Sequence, residues 1–185
     1  MALAAQIKRL VRHSAIYGVG GLIQRLLAVL LLPLYTRFLS DEDYGAIEML
    51  VALTTILFTL LRAAIQNSFF RFYFDSDDPA YQARIVRTSF WSTMVAATVA
   101  LVLGLVLAEP ISHALFGTDD LTNLVRAAFV GLWAAMNYEQ LTALFRVEER
   151  SVSYSVASLV NVVLTIGVTV LLVVVLDRGP IGVIV

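Results

Sequence analysis

A chain of 185 residues with 59% apolar and 15% charged side chains and a mean hydropathy of +0.84 departs from soluble domains, which carry about 45–50% apolar and about 25% charged residues. That balance excludes most soluble folds, and ten Phe, seven Tyr and two Trp exclude a disordered chain. A net charge of −1 excludes a nucleic-acid partner held by phosphate neutralisation, and the absence of Cys removes disulfides, thiolate nucleophiles and Cys-based metal sites.

In chain order, apolar stretches cover 14–35, 45–66, 88–108, 124–145 and 154–176, each long enough to span a bilayer with some tilt, and a sixth run begins at Pro180. The expected class is all-α: a polytopic transmembrane helix bundle of five full spans plus the start of a sixth, with no separate soluble domain. The first stretch follows Lys8, Arg9 and Arg12 as a signal peptide would. It is too long for a signal core, holds Arg25 and ends in Leu32-Pro-Leu-Tyr35, so it reads as a retained helix.

Local chemistry marks the helix starts. Ser40-Asp-Glu-Asp43 has capping-box spacing, Asp78-Pro79 places an N-cap residue before an N1 proline, and Thr118-Asp-Asp120 offers a third start. Capping also accounts for Asp75-Ser-Asp-Asp78 better than a metal or acid-catalyst motif does. An inside N-terminus puts Lys8, Arg9, Arg12, Arg62, Arg71, Arg84, Arg87, Arg146 and Arg150 on the cytoplasmic side, against Arg37, Arg126 and Arg178 outside. This positive-inside bias predicts a cytoplasmic N-terminus.

Within the spans, polar residues recur at helical spacing. The first span aligns Ser14, Gly18, Gly21 and Arg25; the second aligns Thr55, Thr59, Arg62 and Gln66. The fourth carries Arg126, Trp133, Asn137 and Gln140, and the fifth Tyr154, Ser158, Asn161, Thr165 and Thr169. In lipid such stripes face protein or water. Arg25 lies eleven positions past Ser14, about 16 Å along the helix and near the midplane, where a guanidinium costs at least about 2.5–3.5 kcal/mol. It needs either a partner, for which Glu139 is the acid placed deepest inside a span, or a polar cavity that receives an anion such as phosphate. Glu139 itself has two readings, an ion pair with Arg146 or a protonatable coupling group. Positive-inside anchoring explains Arg62 and Arg71, although Arg71 sits in Phe69-Phe-Arg-Phe-Tyr-Phe74, where rings and a cation suit a lipid headgroup. Tyr17-Gly-Val-Gly-Gly21 lacks the strand and spacing of a dinucleotide fingerprint. His13 and His113 fall on opposite membrane sides, and no nucleophile–base pair is visible. Neither an enzyme nor a cofactor site is expected.

Several segments resemble one family. Ser14-Ala-Ile-Tyr-Gly18 opening a span that ends Leu32-Pro-Leu-Tyr-Thr-Arg-Phe-Leu39, followed by Tyr44-Gly45, resembles the start of bacterial polysaccharide (O-antigen, Wzx-type) flippases of the multidrug/oligosaccharidyl-lipid/polysaccharide exporter superfamily. Asn67-Ser-Phe-Phe-Arg-Phe-Tyr73, Leu144-Phe-Arg-Val-Glu-Glu-Arg150 with Tyr154, and Gly179-Pro-Ile-Gly182 are similar to later segments of the same family, in the right order.

The resemblance implies two bundles of about six helices around a cavity that alternates between membrane faces and moves polyprenyl-diphosphate-linked oligosaccharide outward across the inner membrane. It assigns the diphosphate to Arg25, with Arg62 and Arg71 as further cations, while hydroxyl and amide groups such as Asn161 and Thr165 line a sugar path. Residues 1–185 match the first bundle, so a second, C-terminal bundle is an expected partner beside the lipid bilayer and the lipid-linked sugar. A truncated N-terminal half is the simpler expectation; a half-transporter assembled from separate chains is the other. Two further functions fit the same stripes: a drug or metabolite antiporter of the same superfamily, with Glu139 as its inward-facing acid, and a non-transporting anchor or assembly subunit whose polar stripes hold helices together.

Overall fold

The computed structural model describes residues 39–148, 150–175 and 180–184. The first span, and with it Ser14, Gly18, Gly21 and Arg25, lies outside the described residues, as do Lys8, Arg9, Arg12, His13, Arg37 and Arg178. Among the described residues every regular element is helical: α1 (Asp41–Tyr73), α2 (Pro79–Val106), α3 (Ala108–Phe116), α4 (Thr122–Val147), α5 (Ser151–Val170) continuing as a π-helical turn (Leu171–Val175), and α6 (Ile181–Ile184).

Two helix starts follow the sequence chemistry. Ser40 Oγ accepts from the Asp43 amide at 3.2 Å while Asp43 Oδ2 accepts from the Ser40 amide at 3.1 Å, a complete capping box for α1. Asp78 Oδ1 accepts from the Ala80 amide at 3.1 Å, with Pro79 in the first turn of α2. The third start differs. α4 begins at Thr122 with no side-chain cap, because Thr118 and Asp120 hydrogen-bond each other and the Thr122 hydroxyl is turned back to the Asp119 carbonyl. The acids here close a loop instead. A second difference is α3, where the sequence pattern runs as one span to 108. The chain bends at Leu107, Pro110 falls within the first turn of the new helix, where its missing amide costs nothing, and Gly117 ends it at φ 69°.

α4 is the centre of the bundle and packs on α1, α2, α3, α5 and α6. Among the described residues three helices are long and apolar enough to cross a membrane, those over Asp41–Tyr73, Pro79–Val106 and Ser151–Val173, and no more than 22% of any of their most apolar windows is buried in the protein. Trp91, Val95, Val99 and Val102 on α2, and Val152, Val156, Val160 and Val163 on α5, are exposed. Apolar faces this continuous need hydrocarbon or protein against them. α4, at 26 residues, is also long enough to span, but its Asn, Glu and Gln keep it outside that apolar set. A helix enclosed by other helices has less need of an apolar surface.

The main core joins Leu50 of α1, Ala97 of α2 and Leu124, Val125, Phe129, Leu132 and Met136 of α4. A second cluster, Phe69, Tyr73, Ala143 and Val147, caps the far end of α1 and α4. α2 and α4 form the most extensive helix pair, and the buried residues of α2 are all small: Ser89, Thr93, Ala97 and Gly104. Small residues let two backbones approach closely in a bilayer. At Gly104 the approach is closest, since a Cβ there would lie 2.1 Å from the ring of Phe129. Gly104→Ala is therefore expected to overpack the α2–α4 contact and cost about 1–3 kcal/mol, measured as a lowered unfolding midpoint in detergent. Part of the loss should return when Phe129→Leu is added; an unchanged midpoint for Gly104→Ala alone would refute the close contact.

Candidate functional site: a polar layer around Glu139

Between the two apolar clusters, α1, α2 and α4 place their polar residues at one level. Glu139 of α4 is the hub. Its Oε1 accepts from Arg62 Nη2 of α1 at 3.1 Å, from Gln66 Nε2 of α1 at 3.2 Å and from Arg146 Nη2 of its own helix in a short charge-assisted contact. Arg62 and Gln66 are four residues apart, so they share a face of α1, and Arg62 Nε donates to Gln66 Oε1. Glu139 and Arg146 are seven apart, two turns along one face of α4. The pairing of Glu139 with Arg146 follows one of the two readings of the sequence; the share taken by Arg62 and Gln66 was not among them.

Gln140 extends the layer to α2. Its Nε2 donates to Ser89 Oγ at 2.8 Å, and its Oε1 accepts from Thr93 Oγ1 at 3.2 Å, so one amide is satisfied at both ends across the helix interface. One level further, Trp133 Nε1 donates to Thr98 Oγ1 at 3.2 Å. A cavity of about 20 Å³ lies inside the layer against Arg62, Gln66, Thr93, Glu139 and Gln140, large enough for about one water. The Arg146 guanidinium stacks 5.6 Å from the Tyr154 ring and ties the layer to α5.

The charges do not balance. Among the described residues two guanidiniums share one carboxylate, leaving a formal excess of one positive charge. Glu139 and Arg146 are mostly enclosed, with side chains 23% and 28% exposed, whereas Arg62 is 42% exposed and also rests 5.7 Å from the Phe58 ring. Arg146 Nε is buried and has no hydrogen-bond partner among the described residues. An open, cation-rich rim beside a closed ion pair is an arrangement that attracts oxyanions.

The other residues singled out in the sequence do not join the layer. Arg25 lies outside the described residues. Arg71 is nine positions beyond Arg62 on α1, about 13.5 Å along the axis and on the opposite side of the helix; it is exposed, 6.0 Å from the Phe72 ring. On α5, Asn161 is half-buried and Thr165 exposed, and the buried members of that stripe are Ser158 and Thr169. Several hydroxyls are satisfied within their own helix: Thr54 on the Leu50 carbonyl, Thr59 on the Thr55 carbonyl and Thr142 on the Tyr138 carbonyl. Ser89 and Thr93 are participants that the polar stripes of the sequence omit. Their spacing of four, continued at Ala97, is the small-residue signature that marks a helix-packing face.

An all-α bundle with lipid-suited outer faces and a charged layer across its helices defines an integral membrane protein. The chain belongs to the family described as polysaccharide biosynthesis protein, whose family model matches residues 10–183. No curated protein and no solved structure matches it.

Removing the hub leaves two cations without their acceptor. Glu139→Ala is expected to cost about 3 kcal/mol, the lower end for breaking a buried ion pair, read as a lowered unfolding midpoint in detergent. Arg71→Ala should change the same midpoint by less than about 0.5 kcal/mol, as surface substitutions do. Equal effects of the two substitutions would contradict the layer.

Proposed function

We propose that this chain is the N-terminal helical bundle of an exporter that moves polyprenyl-diphosphate-linked oligosaccharide across the bacterial inner membrane, for O-antigen or related surface polysaccharide, by alternating access. Membership of a polysaccharide biosynthesis family supports the substrate class, and the resemblance to Wzx-type flippases supports transport over catalysis. The observation that carries the reading is the cation excess at the Arg62–Glu139–Arg146 layer, in a chain whose outer faces suit lipid. A diphosphate moving through a bilayer needs guanidinium groups that are available to it and held by protein.

In this reading Arg25 and the exposed side of Arg62 take the diphosphate, with Arg71 as a cation at the membrane boundary. Asn161 and Thr165, which have no hydrogen-bond partner among the described residues, offer amide and hydroxyl groups to sugars. The N-terminus is cytoplasmic, and a second bundle supplies the opposite wall, since alternating access needs two units rocking about a site between them. Glu139 acts as the counter-ion that keeps Arg62 in place.

A second reading draws on the Gln140 and Trp133 hydrogen bonds to α2, which hold helices together without any transport role. The two separate in a cell whose surface polysaccharide depends on the complete exporter. Arg25→Ala and Arg62→Ala should each lower surface polysaccharide about tenfold or more at unchanged protein level, as expected for a lost charge-assisted contact, and Lys at either position should restore part of it. Normal polysaccharide in both Ala variants would leave the bundle as an anchor or assembly subunit.

A further inference from the structure

A second cavity, of about 520 Å³, opens between the C-terminal ends of α1 and α4 and the N-terminal end of α2. Its volume falls within the range of about 300–1,000 Å³ typical of small-molecule sites. The inner wall is apolar and aromatic, with Phe69, Val86 and Phe90, and Leu141, 56% exposed, stands at its outer edge. Two charged residues of opposite sign also line it, Arg87 and Glu148. Arg87 directly precedes the apolar stretch 88–108 and Glu148 closely follows 124–145, so both stand at headgroup depth, while Phe90 and Leu141 lie inside those stretches, toward the hydrocarbon.

We propose that this cavity binds one phospholipid whose headgroup carries both a phosphate and a primary ammonium, the phosphatidylethanolamine class. Arg87 has no hydrogen-bond or ion-pair partner among the described residues, and a free guanidinium at a bilayer surface takes a phosphate. Glu148 disfavours a purely anionic headgroup at the same rim and accepts from an ammonium. Its present partner, Arg150 Nη1 at 3.3 Å, is 58% exposed, and so open a pair is held weakly enough for an ammonium to share the carboxylate. Phe90 and Leu141 then pack against the acyl chains. The cavity meets the Glu139 layer at Gln140 alone: neither Arg62 nor Glu139 lines it. The proposal does not depend on what the protein transports.

The test uses the 185-residue chain purified in detergent, titrated with dioleoyl phosphatidylethanolamine, phosphatidylglycerol or phosphatidylcholine and followed by native mass spectrometry. The expected result is a single tight phosphatidylethanolamine adduct. Phosphatidylglycerol lacks the cation, and the quaternary ammonium of phosphatidylcholine cannot donate a hydrogen bond to Glu148, so both should bind more weakly. Arg87→Gln, a change at an exposed residue, should weaken phosphatidylethanolamine about tenfold. Glu148→Gln should abolish its advantage over phosphatidylglycerol. Equal binding of the three lipids to the unaltered chain, or an Arg87→Gln variant that binds as before, would overturn the proposal. So would displacement of the bound lipid by a polyprenyl diphosphate with the same dependence on Arg87, which would give the cavity to a different ligand.

Discussion

The bundle is organised around one carboxylate. Glu139 projects from the central helix into a region where an unpaired charge is expensive, and it is tolerated because three donors converge on one of its oxygens. Those donors come from α1 and α4, so the electrostatic demand of a single side chain fixes the rotation of both helices. Arg62 and Gln66 must face α4, which turns the side of α1 that carries Ile56 and Leu60 outward, where both are exposed. In hydrocarbon the apolar effect gives little preference between lipid and protein for such side chains. A polar contact therefore selects helix orientation here more sharply than Leu or Val could.

The layer also explains why the apolar interior is divided. Leu50, Phe129 and Met136 belong to one cluster and Phe69, Tyr73 and Ala143 to another, with the polar groups between them on all three helices. Along α2 the division is carried by side-chain size. Ser89 and Thr93 bring hydroxyls to Gln140, while Ala97 and Gly104 bring α2 against α4 at the level of the main core. The same run of small residues thus serves hydrogen bonding at one end and close packing at the other.

Much of the helical organisation was legible in sequence because its causes are local. Ser40 with Asp43, and Asp78 with Pro79, specify helix starts through contacts spanning four residues or fewer. The short helix after Leu107 was hidden, since Glu109, Pro110, Ser112 and His113 interrupt its apolar pattern and hydropathy does not respond to a bend. Thr118-Asp-Asp120 carried cap chemistry that the loop itself consumed, because Gly117 releases the chain in a left-handed conformation and the hydroxyls then find nearer partners. At the site, Glu139–Arg146 could be read from helical spacing alone. Its coupling to Arg62 and Gln66 joins residues more than seventy positions apart, and nothing within either stretch encodes which faces meet. Ser89 and Thr93 are illegible for a related reason: their spacing is that of packing residues, and only Gln140 on the facing helix makes them polar partners.

The imbalance of charge within the layer has a structural cause as well as a chemical consequence. If the two guanidiniums were equally enclosed, the uncompensated cation would carry a desolvation penalty that one carboxylate could not offset. The geometry avoids this by enclosing Glu139 with Arg146 and leaving Arg62 the most open of the three. α4 thus carries a neutral pair of its own, and the excess charge resides on α1, a helix with a large exposed surface. The excess can be met by water, or by an anion that approaches from the open side of Arg62, without separating Glu139 from Arg146. Arg62 is also tied to Gln66 on the same helix, while the Gln140 bridge holds α2 against α4. A layer built in this way puts its exposed charge on one helix and keeps the α2–α4 framework on separate hydrogen bonds.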